Sequence, residues 1–366
     1  MLTALLSLAL LLQPPPDAKA FADAVAYAAK TDGQAVLVMH RGAVIHERYM
    51  AGGAASTRQL LASGSKSFVG LATIAAVADG KVALDAPVSR YLPEWERDPR
   101  KARITVRQLL SLESGLESGN AGTGCGGRNT TWTDAVNAGT FAEPGTTFRY
   151  GPFPFIAMGA ALERTTGESF DAYLARRILA PLGVTVEWRA KCGDGKPQLA
   201  GGAAMTARDW ATVGEFVRLV GVHKGQRLLP EALVRELFVP AKANPNYGLS
   251  WWLVGATLQE QPAAGLEGNS GGRTGRRGGL LGARARRRAG ARADNTANKN
   301  TAERPQWLPA DLVMAAGMGK QRLYVIPSRE LVIVRMGKLL GGREFDDVDF
   351  LEPLLAPRVG GSSGGR

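Results

Sequence analysis

Apolar and polar positions divide the chain into recognisable elements. Residues 34–50, QAVLVMHRGAVIHERYM, are two strand-like runs broken at Arg41-Gly42, which predicts an early hairpin. Residues 63–79 are apolar on nearly every face and stop at Gly80, the pattern of a buried helix. ITVRQLLSLESGL (104–116) predicts a helix ended by Gly115, followed by a Gly/Asn/Thr-rich loop over 117–131. Two helices separated at Gly167 follow from 153–183; 206–221 is amphipathic, and 230–238 is a shorter helix. Strand character returns at YGLSWWLV (247–254), QRLYVIP (321–327) and ELVIVRMG (330–337), the last two joined at Ser328-Arg329. A final helix is expected around 345–355.

Strands therefore lie at both ends and helices in the middle. The expected fold is α/β of the α+β kind: one antiparallel sheet built from N- and C-terminal strands, flanked by helices, beside a central, mostly helical domain. A ligand site belongs in the cleft between them. No internal repeat is visible.

Composition refines this picture at three places. The chain has 366 residues, 45% of them hydrophobic, which excludes a disordered or fibrous protein. Its net charge of +12 is local: residues 273–292 hold eight arginines and no acid, and without them the balance is +4. They lie in a Gly/Ala/Asn-rich stretch, 256–305, read as a disordered basic insert. The arginine run has no aromatic residue, hence no stacking platform, so no nucleic-acid partner is expected. Binding to an anionic surface is the alternative role for it.

At the N-terminus an apolar run from Leu2 to Leu12 precedes Ala18-Lys19-Ala20, an A-x-A pattern. Although no Lys or Arg precedes the run, residues 1–20 are read as a signal peptide and 21–355 as the folded domain. The expectation is an exported protein, periplasmic or extracellular. No other segment is long and apolar enough to cross a membrane. The two cysteines, Cys125 and Cys192, are too few for a structural zinc site and could form one disulfide in an oxidising compartment.

Candidate chemistry centres on LASGSKSFVG (61–70). Ser63 and Lys66, at i and i+3, share one face of a helix. Serine needs an adjacent base to become a nucleophile. Lysine is ordinarily protonated, but among Phe68, Val69, Leu71 and Ile74 desolvation disfavours its charged form and makes it a candidate base. The competing explanation is Ser63 as a plain helix cap. A Ser-His-Asp triad is poorly served. His40 and His46 flank a hairpin turn, His223 follows a surface helix, and no G-x-S-x-G elbow of suitable context exists. No H-E-x-x-H zinc pattern is present, and no metal or cofactor is expected.

Taken in order, several motifs make the chain resemble the serine β-lactamase-like hydrolases: class C β-lactamases, DD-peptidases, esterases and 6-aminohexanoate-dimer hydrolases. They are LASGSKSF, GKVALDAPVSRYLPEW (80–95), ITVRQLLSLESGL, EPGTTFRYGP (143–152), GGAAMTARDWATVG and YGLSWW. The resemblance spans roughly residues 30–355 outside the insert. It implies an acyl-enzyme mechanism with Ser63 as nucleophile, Lys66 as its base and Tyr150 protonating the leaving group. The family's third motif, usually H-x-G or K-T-G, is matched to Gly317-Met318-Gly319. This places oxyanion and substrate contacts at Gly319, Lys320 and Gln321, with the oxyanion amide around Gly319–Lys320.

Two positions depart from the family pattern. Gly317 replaces a cationic or imidazole side chain, and Pro152 replaces the Asn or Ser two residues after the tyrosine. Both groups ordinarily read a substrate's carboxylate or amide. A small ester, simple amide or peptide-like substrate is therefore favoured over β-lactamase or DD-peptidase activity. A sensor or binding protein that is acylated without turnover is the alternative of a different class.

Overall fold

The computed structural model describes residues 14–119, 129–253, 304–340 and 343–357. In chain order its strands are β1 (Gly33–His40), β2 (Ala43–Tyr49), β3 (Gln59–Leu60), β4 (Glu187–Trp188), β5 (Ala203–Met205), β6 (Val222–His223), β7 (Gln226–Arg227), β8 (Trp252–Leu253), β9 (Val313–Gly317), β10 (Gln321–Ile326) and β11 (Leu331–Gly337). Six of them form one antiparallel sheet in the order β2-β1-β11-β10-β9-β8. β1 pairs with β11 out to His40↔Leu331, so the two ends of the chain meet in one sheet, as the strand pattern predicts.

The helices that matter for the site are α1 (Ala18–Lys30), α2 (Lys66–Ala78), α3 (Phe153–Thr166), α4 (Ala207–Arg218) and α5 (Asp347–Leu355). Successive residues of a strand face opposite sides. A side chain built on Gly214 of α4 would meet Leu323, whereas Tyr324 stacks on Phe350 of α5 at 6.0 Å. The sheet is thus covered on both faces, which is why β10 and β11 are buried along their whole length rather than alternating. Helix α2 is buried from Lys66 to Ala76 and lies inside the helical region, packed on α3.

Four stretches differ from the sequence expectation. The helix expected over 104–116 runs only from Val106 to Leu110. Beyond it Leu112 adopts a left-handed φ of 64°, and its carbonyl accepts the Arg149 amide at 3.0 Å. The buried Glu113 carboxylate accepts the Ser111 hydroxyl at 2.9 Å and the Ala243 amide. Tertiary partners thus replace the missing helical ones. The strand expected over 247–254 folds back on itself. Gly248 N donates to Trp251 O, Ser250 has φ of 71°, and of the described residues only Trp252–Leu253 joins the sheet.

The helix expected from residue 63 begins as a 3-10 turn, Ala62–Ser65, before α2. Finally, the Ala18-Lys19-Ala20 triplet is the first turn of α1. Asp17 caps it by accepting from Ala20 N, and Ala20 is buried. The folded domain therefore starts before residue 21. The basic stretch 256–303 and Cys125 lie outside the described residues; Cys192 is disulfide-bonded.

Candidate active site

Ser63 sits in a turn that the neighbouring strand holds shut. Leu61 N donates to Ala203 O of β5 at 2.8 Å, and Ala203 N donates to Ser65 Oγ at 3.0 Å. Ser65 Oγ in turn donates to Ala62 O at 2.6 Å. Ala62 carries the left-handed φ of 47° that this closure requires, an uncommon conformation for a residue with a side chain. Gly64 leaves room for the Trp210 ring: a Cβ there would lie 3.0 Å from its edge.

One helical turn on, Lys66 is only 3% exposed. Its ammonium nitrogen lies 2.9 Å from Ser63 Oγ and 2.9 Å from Ala200 O. It also lies 4.7 Å from the centre of the Tyr150 ring and 5.8 Å from that of Phe155. Among the described residues no carboxylate forms an ion pair with it. Desolvation without a compensating anion pushes its pKa down to about 7.

Tyr150 closes the other side. It precedes α3, whose N-cap is Pro152, and is fixed by backbone contacts on both sides: Arg149 N donates to Leu112 O, and Phe153 N to Ser118 O at 3.2 Å. Its ring stacks on Trp252 at 5.7 Å and meets Tyr247 edge-on at 6.3 Å. Burial pushes its hydroxyl up to about 12, while a hydrogen-bonding interaction with Ser63 and the charge of Arg322 pull the other way. At neutral pH it is a phenol, able to donate a proton, rather than a phenolate.

The third wall is the end of β9. A Cβ on Gly317 would lie 3.0 Å from Ser63 N and 3.1 Å from Gly64 N, and would collide with Leu61 O. Only glycine permits this approach, so no side chain of any kind can stand at this point.

Ser63, Lys66 and Tyr150 are therefore brought together, whereas no hydrogen bond among the described residues joins Gly319, Lys320 or Gln321 to them. Gly319 faces Lys338 and Leu339, and the exposed Lys320 lies beside Tyr27 and Thr31. Left-handed φ values of 75° and 58° at Gly319 and Lys320 form the turn between β9 and β10. Gln321 is 1% exposed, and its amide is engaged at both ends by Gly337, donating at 2.7 Å and accepting at 3.1 Å. The backbone that reaches Ser63 is two residues earlier, at Gly317. Sequence reasoning missed the Ala200 carbonyl and the Trp252–Tyr247 wall. A backbone acceptor leaves no trace in residue type, and YGLSWW reads as a strand until its turn is seen.

The profile of the Beta-lactamase family matches residues 18–356, and the chain belongs to that family, whose members are serine hydrolases. Within the chain, the Ser63 hydroxyl and the Lys66 ammonium are hydrogen-bonded to one another. Among individual proteins, it is 26% identical to 6-aminohexanoate-dimer hydrolase of Paenarthrobacter ureafaciens over 66% of this chain and 69% of that protein. It is 28% identical to Protein flp of Staphylococcus aureus (strain N315) over 36% of this chain, a match that spans only 28% of that longer protein. A family VIII carboxylesterase superposes with a TM-score of 0.64 at 16% identity, covering 93% of this chain and 98% of the other.

Proposed function

We propose that the protein hydrolyses uncharged esters or simple amides through an acyl-enzyme on Ser63. The observation that carries this reading is the 2.9 Å contact between Ser63 Oγ and a buried lysine that has no counter-ion among the described residues. Near neutral pH a substantial share of Lys66 is the free amine. Donation of one N–H to Ala200 O leaves its lone pair for the Ser63 hydroxyl proton. Ser63 Oγ then bonds to the substrate's carbonyl carbon. Negative charge on the carbonyl oxygen falls to backbone amides, for which Ser63 N–H and Met318 N–H, just past Gly317, are the best-placed pair. Tyr150, a phenol at this pH, hands its proton to the departing alkoxide or amine and is reprotonated from Lys66. Water then attacks the acyl-enzyme with Lys66 and Tyr150 as proton carriers.

Substrate preference follows from what the walls lack. The closed position at Gly317 has no cation for a carboxylate, and Pro152 has no amide to read one. The half-buried Tyr150 ring, backed by Trp252 and Tyr247, favours an apolar acyl or leaving group. The names borne by the carboxylesterase and the 6-aminohexanoate-dimer hydrolase support the same class.

A fluorophosphonate probe should add one mass to the peptide containing Ser63, and Ser63→Ala should abolish both labelling and hydrolysis of p-nitrophenyl butyrate. Labelling elsewhere would overturn the assignment. A burst of one equivalent without turnover would instead identify an acylated sensor.

A further inference from the structure

Two arginines are buried where the fold could have used apolar residues. Arg322 on β10 is 1% exposed and Arg335 on β11 is fully buried. Both grip the hairpin that follows β9. Arg322 Nη1 donates to Gly317 O at 3.3 Å and to Gln321 O at 3.1 Å, bridging the two residues that close the β9–β10 ladder. Its other edge is held by Asp347 of α5, Nε to Oδ1 at 2.6 Å and Nη2 to Oδ2 at 3.1 Å; Tyr324 also donates to that carboxylate. Arg335 Nη1 donates to Lys320 O at 2.8 Å and Gly319 O at 3.3 Å. A buried ion pair is seldom worth more to stability than apolar residues of the same volume. Its presence here calls for another reason.

The peptide unit between residues 317 and 318 supplies one. The carbonyl that Arg322 touches and the N–H of Met318 are opposite ends of the same amide. A cation at the oxygen draws density from the nitrogen and strengthens that N–H as a donor, since chained hydrogen bonds polarise one another. It also fixes the direction in which the N–H points. We propose that Arg322, braced by Asp347, is a positioning residue that orients and polarises the 317–318 peptide as the oxyanion donor opposite Ser63. This rests on the acyl-enzyme reading above. Support comes from the electrostatic reach of Arg322 to Tyr150, whose pKa its charge lowers. Lysine in its place would keep the charge but lose the planar fork that serves carbonyl and carboxylate together.

The test compares Arg322→Lys and Asp347→Asn with the native protein. For p-nitrophenyl butyrate, kcat should fall about tenfold or more with KM within twofold, a partial loss of an oxyanion donor. In the acyl-enzyme, the ¹³C-labelled carbonyl stretch should move to higher frequency as the oxygen is less polarised. Native thermal melting with unchanged kcat and band position would overturn the proposal, as would a loss confined to KM. Should Arg322→Lys not fold, Asp347→Asn, which keeps the carboxylate's shape, carries the same two readouts. Failure of the native protein to acylate at Ser63 would instead count against the hydrolase reading, before either variant is made.

Discussion

At the scale of single residues, the site depends on a lysine kept from its usual charge. With Lys66 at about 7 and Tyr150 at about 12, kcat/KM should rise through about pH 7 to a plateau, without a descending limb below pH 10. Lys66→Arg should lose on the order of 100- to 10,000-fold in acylation, since arginine cannot accept the serine proton. Near-native activity in that variant would show that only the charge matters. The same depression links pH to stability. Between about 7 and the unfolded value of about 10.4 the unfolded chain holds a proton that the folded chain does not, so stability should climb with pH across that window and be flat below it, by on the order of 5 kcal/mol in all. Lys66→Met should abolish the slope; a chemical-denaturation series at pH 6 to 10 reads it directly. Gly317→Ala should be damaging for a different reason. Its methyl must push β9 away from Leu61 and Ser63, so activity should fall at least tenfold, of the order seen when an oxyanion donor is displaced.

At the scale of elements, α1 bears on processing. Asp17 caps it and Ala20, Ala24 and Ala28 pack it against the domain, so cutting after residue 20 would remove the cap and the first turn. We propose that the protein is exported with cleavage before Asp17, and N-terminal sequencing of exported material should find that. A start at residue 21, or Met1 on cytosolic protein, would refute it. Asp17→Ala should cost about 1 kcal/mol of stability, the usual value of a lost N-cap.

At the scale of the molecule, the strands on either side of the basic stretch pair with each other directly, Trp252↔Met314 and Leu253↔Val313. The β8–β9 pairing itself uses no residue of 262–303. Deleting 262–303 should leave the melting temperature and ester hydrolysis unchanged, and a drop in either would show that the connection serves the cleft. Among the described residues no helix is long and apolar enough to cross a membrane.

Local patterns carried β1, β2, β10 and β11 and the proximity of Ser63 to Lys66, because each rests on spacing over a few residues. The sequence order of the motifs likewise carried the family. The register of the third wall was not legible. Which residue of Gly317-Met318-Gly319 meets the serine depends on where β9 stops, and that is decided by Leu61, Gln321, Gly337 and two arginines far apart in the chain. For the same reason the sequence could raise the idea of a neutral lysine from its apolar neighbours, but only the packed structure supplies the burial and the Ala200 carbonyl on which the proposed role of Lys66 rests.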